Sequence, residues 1–148
     1  MDFGFKVVCI RLGLAFVLGS ILGLERERKG RDAGLRTHIL VCTGSALIML
    51  VSIYIYELFK HEGSLDPARI ASGVVTGIGF LGAGTIIRSR TGVMGLTTAA
   101  SIWVSAAIGL AVGCGFISGA VVTTLIAFLT LFCLSFFEPR LQKDKSDT

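Results

Sequence analysis

A run of 47 residues, from Thr91 to Phe137, contains no Asp, Glu, Lys or Arg. One helix of that length would be about 70 Å long at ~1.5 Å per residue, more than twice the thickness of a bilayer's hydrocarbon core. The chain must therefore reverse direction within the run. Gly113-Cys114-Gly115 lies near its middle, and glycine accommodates a tight reversal at the smallest steric cost. This pattern predicts a helix on each side of the turn.

Three further stretches have the same character. Residues 37–56 and 70–87 carry no charged side chain, and residues 7–24 carry only Arg11. Of the 148 residues, 53% are apolar and only 16% are charged, so we predict a single all-α integral membrane domain over 1–148. The bundle is expected to have five transmembrane helices, at about 7–24, 37–57, 68–87, 95–112 and 116–137, followed by a short cytoplasmic tail at 138–148.

Basic residues are distributed unequally between the two sides of such a bundle. Ten Lys and Arg lie in the 25–36 loop, the 88–90 turn and the tail, whereas Lys6, Lys60 and Arg69 lie on the other side. Because basic loops remain in the cytoplasm, we predict the N-terminus outside and the C-terminus inside. No basic patch is interleaved with aromatic residues, so we expect a lipid bilayer and no nucleic acid as partner.

The third span is unusually rich in glycine. Its glycines are Gly73, Gly77 and Gly84 on one face and Gly79 and Gly82 on the other. Residues 77–82 fit the G-x-G-x-x-G dinucleotide fingerprint, but they lie inside an apolar span instead of following a strand. Glycines let helix backbones approach closely in lipid, so we predict a central third helix packed on both faces. Pairs with the same four-residue spacing occur at Gly19/Gly23 and Gly109/Gly113.

Two charged residues near the outer surface are candidates for function. Arg11 lies within the first span, where burial of a charge costs about 2.5–3.5 kcal/mol and usually implies a partner. Asp66 and Glu57 are the expected partners, and the alternative is that Arg11 snorkels to the surface. Asp66 also precedes Pro67, a combination typical of a helix start, with Asp at the N-cap and Pro at the first position.

The inner surface carries a second set of candidates. They are Glu25, Arg26, Arg31, Asp32, Arg36 and Arg88. Of these, Glu25, Arg31, Asp32, Arg36 and Arg88 could meet in one polar cluster: a structural ion-pair network, a site for an anionic lipid or phosphate, or a Mg²⁺ site with carboxylate ligands such as Glu25. Asp66, on the outer side, is a second possible Mg²⁺ ligand. Lys29 is interpreted as solvated and His38 as a hydrogen-bonded helix-end histidine. No nucleophile–base pair or metal-ligand spacing is present, and we expect no enzyme activity.

Five motifs resemble the MgtC/SapB family of bacterial inner-membrane proteins. They are LGLERER (22–28), GLRTH (34–38), DPARIA (66–71), GIGFLGAGTIIR (77–88) and GLTTAASIW (95–103). The resemblance covers about residues 11–130 and implies a multi-pass protein of the bacterial cytoplasmic membrane, in a short form that lacks the soluble C-terminal domain of longer members. It adds Arg69, Thr97 and Thr98 to the candidate polar residues. Virulence-associated members carry Asn where this chain has Thr97 and Cys where it has Val104. These differences argue against a dedicated virulence role.

The family resemblance implies a link to Mg²⁺ homeostasis and leaves two functional hypotheses. The first is a small cation transporter or channel-like subunit, with Mg²⁺ as the first guess for the ion. The alternative is a regulatory protein that binds another membrane complex, such as the ATP synthase or an ion pump. The small-residue spacings favour a homo-oligomer, with a dimer as the first guess. The segment 91–96 is expected to start the fourth helix irregularly or to re-enter the membrane.

Overall fold

The computed structural model describes residues 4–61, 66–90 and 92–143, with side chains described as far as Cys133. The elements in chain order are α1 (Phe5–Arg28), α2 (Leu35–Phe59), α3 (Ala68–Gly84), β1 (Ile87–Ser89), β2 (Gly92–Met94), α4 (Leu96–Cys114) and α5 (Ile117–Lys143). The predicted helical architecture is therefore confirmed. Helix α5 continues into the predicted tail, and residues 144–148 lie outside the described part of the chain.

Three of the five helices, α1, α2 and α4, are long and apolar enough to cross a bilayer. Helix α3 and the apolar part of α5, Ile117–Cys133, are shorter. The 17 residues of α3 reach about 25 Å, slightly less than the ~30 Å hydrocarbon core. Helices α1 and α2 extend past their predicted spans at both ends, because the residues beyond those spans continue the helix outside the apolar stretch.

Helices α2 and α4 lie at the centre of the bundle, and α1 packs against one side of α2. The contact uses the glycine pair of α1. A Cβ placed on Gly19 would lie 2.9 Å from the Cβ of Cys42, and one on Gly23 would lie 2.7 Å from the Cα of Leu35. Such distances are too short for any real side chain, so the two backbones touch only because these positions are glycine.

Helix α4 covers another side of α2 in the same way. A Cβ on Gly109 would lie 2.9 Å from the Cβ of Ser45, and the carbonyl oxygen of Cys42 is closer still. A Cβ on Gly113 would lie 2.6 Å from the carbonyl oxygen of Ala46. Two glycine pairs on two different helices therefore hold the α2 backbone between them.

The buried apolar core follows from this close packing. Its main part contains Ala15, Leu18, Leu22, Cys42, Ala46, Ile108, Val112 and Ala120, contributed by α1, α2, α4 and α5. A second, smaller part lies where α3 meets α4 and contains Ala33, Val74, Ile78, Ile102 and Ala106. Both parts combine alanine with branched aliphatic side chains, and neither contains an aromatic residue among its described buried members.

The prediction of a central, glycine-packed third helix is wrong for this chain. Helix α3 lies at one side of the bundle, mainly against α4 and less extensively against α2. Cβ atoms added at Gly73, Gly77, Gly79 or Gly84 would meet nothing within 4 Å, and only Gly82 touches a neighbour, Ala99 of α4. Spaced glycines do bring helix backbones into close contact in this protein, but they do so on α1 and α4 instead of α3. The spacing alone does not distinguish these helices, because all three carry it.

The predicted end of the third span is also wrong. The helix stops at Gly84 instead of 87, and Thr85 closes its last turn by donating its hydroxyl to the Gly82 carbonyl at 2.8 Å. The chain then forms an antiparallel hairpin in which Ile87 pairs with Met94 and Ser89 with Gly92. This hairpin is not evident from the sequence, and its strand β2 takes up residues 92–94 of the segment 91–96 expected to start α4 irregularly or to re-enter the membrane.

The reversal inside the long uncharged run lies where the glycines predicted it. Helix α4 ends at Cys114, and Gly115 adopts a left-handed conformation with φ of 90°. Its backbone N–H bonds back to the Val112 carbonyl at 3.1 Å, and that of Phe116 bonds to Ala111 at 2.8 Å. These are the hydrogen bonds of a glycine-terminated helix, which satisfy the last carbonyls and release the chain into α5.

We expect Gly109→Ala to destabilise the protein and Gly77→Ala to leave it unchanged or slightly more stable. Both substitutions place a methyl group inside an apolar helix, and alanine is intrinsically the better helix former by about 1 kcal/mol. At Gly109 the methyl has no room against Cys42, whereas at Gly77 it enters open space. Thermal unfolding of the two variants in one detergent is the measurement, and equal midpoints would contradict the assignment of α2 to the centre.

Candidate functional site

The C-terminal end of α1 and the residue after it form a largely buried ion-pair cluster of Glu25, Arg26 and Lys29. Lys29 Nζ lies 2.5 Å from Glu25 Oε1, and an Arg26 guanidinium nitrogen lies 3.4 Å from Glu25 Oε2. Glu25 is 5% exposed and Arg26 3% exposed. Removing charged groups from water costs free energy. The positive charges of Arg26 and Lys29 offset the negative charge of Glu25 and so reduce the cost of burying it.

Lys29 connects this cluster to α5. Its ammonium donates to the backbone carbonyl of Leu131 at 2.9 Å and lies 5.4 Å from the centroid of the Phe132 ring. The interpretation of Lys29 as a solvated loop residue is therefore wrong. A lysine directly after a helix can turn back toward an adjacent helix, and here its charge is used by a buried carboxylate, a carbonyl and an aromatic face.

Glu27 determines how the chain enters α2. Its Oε2 accepts the Leu35 backbone N–H at 2.9 Å, which places a negative charge at the N-terminus of α2. The carboxylate occupies the space that a side chain at Gly34 would need. Gly34 therefore leaves room for this carboxylate, which a larger residue would displace, whereas its φ of −99° is accessible to any residue.

His38 is fully buried between α1, α2 and α4, and both ring nitrogens have neighbours. Nδ1 lies 2.9 Å from the Gly34 carbonyl oxygen, and Nε2 lies 3.1 Å from the Ser101 hydroxyl oxygen. Ser101 also lies 2.9 Å from the Thr98 carbonyl, so a chain of hydrogen bonds runs from the α1–α2 loop to α4. The prediction that His38 is hydrogen-bonded at a helix end agrees with this geometry.

Further buried polar side chains follow His38 along α2 and lie on the neighbouring α4. On α2 they are His38, Ser45 and Ser52, and on α4 they are Thr98, Ser101 and Ser105, all 5% exposed or less. The α2 members are seven residues apart and so share one helix face. We call these six residues the polar column. At its outer end the Ser52 hydroxyl donates to the Pro67 carbonyl at the start of α3.

Ser105 is the exceptional member of the column. Its side chain is fully buried, and its hydroxyl has no hydrogen-bond partner among the described residues. A buried hydroxyl without a partner costs about 1–3 kcal/mol, so such a group in a native protein requires an explanation. Bridging water is the usual solution in a polar interior.

The single inner cluster predicted from the sequence does not form as expected. Arg31, Asp32, Arg36 and Arg88 are exposed, and none of them pairs with Glu25 among the described residues. Arg88 lies in β1, because α3 ends before it, and the other three lie on or beside the solvent-facing side of the loop. Of the five residues predicted to meet, only Glu25 belongs to the observed cluster, and its partners there are Arg26 and Lys29.

Arg11 of α1 contacts the turn between α4 and α5. Its guanidinium donates to the Gly113 carbonyl at 2.6 Å, at the turn from α4 to α5. The expected partners make other contacts: Glu57 pairs with Lys60 at 2.9 Å, and Asp66 accepts the Ala68 N–H at 2.8 Å. Thus Arg11 stabilises the last carbonyls of α4, where a positive charge suits the helix dipole.

Asp66 and Arg69 line a polar cavity between the C-terminal part of α2 and the start of α3. Asp66 acts as the predicted helix cap, and Pro67 already has helical φ and ψ of −63° and −19°. The cavity has a volume of about 400 Å³ and is also lined by Ser52 and Tyr56. Both charged side chains are exposed at the surface of the chain.

Thr97 and Thr98 point in different directions. Thr98 is buried in the polar column, whereas Thr97 is exposed and lines a largely apolar cavity of about 470 Å³ between α1, α4 and α5. Ser101 lines the same cavity and so lies between it and His38. Ser101 was not among the sequence candidates, although its position three residues after Thr98 places both on one face of α4.

Metal-binding groups are sparse among the described residues. No three His, Cys, Asp or Glu side chains converge there on one point. Glu25, a candidate Mg²⁺ ligand, is already neutralised by Lys29 and Arg26, whose charges oppose a bare cation. Asp66 uses one carboxylate oxygen as a helix cap.

Apolar helices long enough to cross a bilayer, with a buried ion-pair cluster and a polar column between them, define a helical membrane protein. More particularly, the chain belongs to the MgtC family, whose family model matches residues 12–140. The family resemblance carried by the sequence motifs is thus confirmed. No solved structure matches the chain.

Three relatives illustrate the likeness. The chain is 50% identical over 124 residues to "Putative magnesium transporter YhiD" of Escherichia coli (strain K12), covering 79% of this chain and 57% of that protein. It is 35% identical over 141 residues to Protein SapB of Bacillus subtilis (strain 168), covering 93% and 61%. It is 45% identical over 111 residues to Protein MgtC of Brucella abortus (strain 2308), covering 75% and 44%. The chain therefore spans roughly half the length of these relatives.

We expect Glu25→Gln to lower the free energy of unfolding by about 3 kcal/mol, because it leaves Arg26 and Lys29 without their shared carboxylate in a buried site. The matched control is Glu57→Gln, which breaks the exposed Glu57–Lys60 pair and should change stability little. Unfolding of both variants by SDS in mixed micelles is the measurement. Similar small effects would show that the inner ion pair is dispensable.

Proposed function

We propose that this protein serves Mg²⁺ homeostasis in the bacterial inner membrane, as a small cation transporter or channel-like subunit. The proposal is supported by 50% identity to an E. coli relative whose name describes a magnesium transporter. It is supported physically by the polar column, a line of buried polar side chains in an otherwise apolar bundle.

The polar column is the observation that carries the proposal. Polar residues inside membrane bundles are costly and commonly mark ion or substrate pathways. Mg²⁺ gives up its water reluctantly, so an aqueous ion would be accompanied by hydroxyl groups that hydrogen-bond to its hydration shell. The column supplies such hydroxyls at Ser45, Ser52, Thr98, Ser101 and Ser105. In the packed arrangement the glycine contacts of α4 close this path, so passage requires α4 to separate from α2.

The proposed topology has five spans, with the N-terminus outside and the C-terminus in the cytoplasm. The excess of basic residues in the 25–36 loop supports this orientation. The ion-pair cluster then lies at the cytoplasmic end, and the cavity of Asp66 and Arg69 opens outward.

An alternative proposal is regulation of another membrane complex, such as the ATP synthase or an ion pump. One observation favours it. Helices α2 and α3 border an open groove of about 540 Å³ lined by Gly44, Gly73 and Gly77, and a Cβ at any of these positions would meet nothing. Glycines that the chain does not use for its own packing leave room for a second helix, from a partner complex or from another copy in a homodimer.

We expect Ser105→Ala to reduce Mg²⁺ flux in proteoliposomes by about two- to tenfold, the factor produced by losing one hydrogen bond of about 0.5–1.5 kcal/mol to the passing ion's water. The same change should not lower thermal stability, since it removes a hydroxyl that lacks a partner among the described residues. Ser72→Ala on the exposed face of α3 is the control and should leave flux unchanged. Absence of flux in the unmodified protein would contradict transport and favour the regulatory alternative.

We expect a membrane-impermeant maleimide to label His61→Cys in intact spheroplasts and to label Arg31→Cys only after permeabilisation. Both variants are made in a background in which Cys9, Cys42, Cys114 and Cys133 are replaced by alanine. His61 follows α2 at the proposed outer end, and Arg31 lies in the exposed inner loop. The reverse pattern of labelling would invert the topology.

The regulatory alternative predicts that Gly77→Cys crosslinks in membranes to another protein or to a second copy, whereas the native Cys42 does not, each tested as the single cysteine of the chain. Gly77 lines the open groove, and Cys42 is fully buried. A purified crosslinked product identified by mass spectrometry is the measurement. Equal crosslinking at both positions would show that the groove is not a specific contact.

A further inference from the structure

We propose that His38 is a proton-binding site, and that the Ser101 hydroxyl transmits its protonation state to α4. The inference rests on the hydrogen-bond geometry around the ring. It stands whether the protein transports Mg²⁺ or regulates another complex.

The first step is the tautomer of the neutral ring. Nδ1 lies 2.9 Å from the Gly34 carbonyl oxygen, which can only accept a hydrogen bond. Nδ1 must therefore carry a hydrogen. The neutral ring then has a bare Nε2, which accepts a hydrogen bond from the Ser101 hydroxyl at 3.1 Å.

The second step concerns which of two acceptors the Ser101 hydroxyl bonds to. Its one hydroxyl hydrogen has two acceptors within reach, His38 Nε2 at 3.1 Å and the Thr98 carbonyl at 2.9 Å. When the ring gains a proton, Nε2–H becomes a donor and the Ser101 oxygen accepts it. The hydroxyl hydrogen then turns to Thr98, and no heavy atom has to move.

Both protonation states of the ring are therefore fully hydrogen-bonded. This property distinguishes a proton site from a histidine that is only structural, since the latter loses a buried hydrogen bond when it titrates. The direction of the Ser101 O–H bond therefore differs between the two protonation states. This changes the hydrogen bonding in the first turns of α4, where Thr98 and Ser101 are both buried.

The charges that face the ring among the described residues come from α1. Glu25 carries a negative charge and Arg26 a positive charge. On α4 the facing groups are the uncharged Thr98 and Ser101, and on α2 the thiol of Cys42 lies one turn away. The ion-pair cluster of Glu25, Arg26 and Lys29 has a net charge of +1, so a protonated His38 raises the local charge to +2. Protonation thus adds repulsion between the ring and the cluster beside the α1–α2 contact, where a Cβ on Gly23 would lie 3.2 Å from the Cβ of His38.

The test is nitrogen NMR of the ¹⁵N-histidine-labelled full chain in lipid nanodiscs. The chain has only two histidines, and His61→Gln leaves His38 as the single signal. At neutral pH we expect His38 as the Nδ1–H tautomer, with an unprotonated Nε2. On acidification both nitrogens should become protonated while the protein remains folded. An Nε2–H tautomer, or a ring that titrates only when the protein unfolds, would overturn the proposal.

Substitutions at Ser101 test the transmission step. Hydrogen bonds to charged groups are stronger than those to neutral ones, so Ser101→Ala should remove more stabilisation from the protonated ring and lower its titration midpoint by about one pH unit. Ser101→Thr keeps the hydroxyl and should restore the midpoint. Because both measurements follow the ring directly, they remain decisive even if Mg²⁺ flux is absent. A midpoint that Ser101→Ala leaves unchanged would remove Ser101 from the proposal.

Discussion

The bundle depends on contact between helix backbones on two sides of α2. Gly19 and Gly23 of α1 lie against one side, and Gly109 and Gly113 of α4 lie against another. In lipid there is little hydrophobic gain from bringing apolar helices together, so close van der Waals contact must supply the association. A single methyl group at these positions would separate the helices.

That close contact also explains the placement of the polar groups. With α1 and α4 drawn against α2, His38 is enclosed and comes within hydrogen-bond distance of Ser101. The close packing of α1 against α2 also buries Glu25 and Arg26 at the C-terminal end of α1. Lys29 extends this cluster to the carbonyl of Leu131 on α5. The polar chemistry of this protein is therefore a consequence of glycine packing.

The closed packing and the open groove between α2 and α3 favour different functions. A polar column enclosed by α2 and α4 is suited to ion movement, provided that α4 can move away from α2. Unused glycines on α3 are suited to association with another helix. Both features occur in one small bundle, and the proposed pathway and the proposed docking face use different sides of α2.

Much of the fold could be predicted from the pattern of charges and glycines. The uncharged runs located the helices, and Gly113-Cys114-Gly115 located the reversal between α4 and α5, because both depend on chemistry local to the segment. The motifs also identified the family, which the match over residues 12–140 confirms. The predicted orientation remains a prediction.

Only the tertiary structure decided which helices are central. Gly73/Gly77 and Gly109/Gly113 have the same spacing in sequence, yet the first pair faces open space and the second touches α2. The pairing of Lys29 with Glu25 and the contact of Ser101 with His38 were equally out of reach, since each joins side chains whose separation depends on how helices pack. Hydropathy and glycine spacing are properties of one segment, whereas a buried site is a property of the contacts between segments.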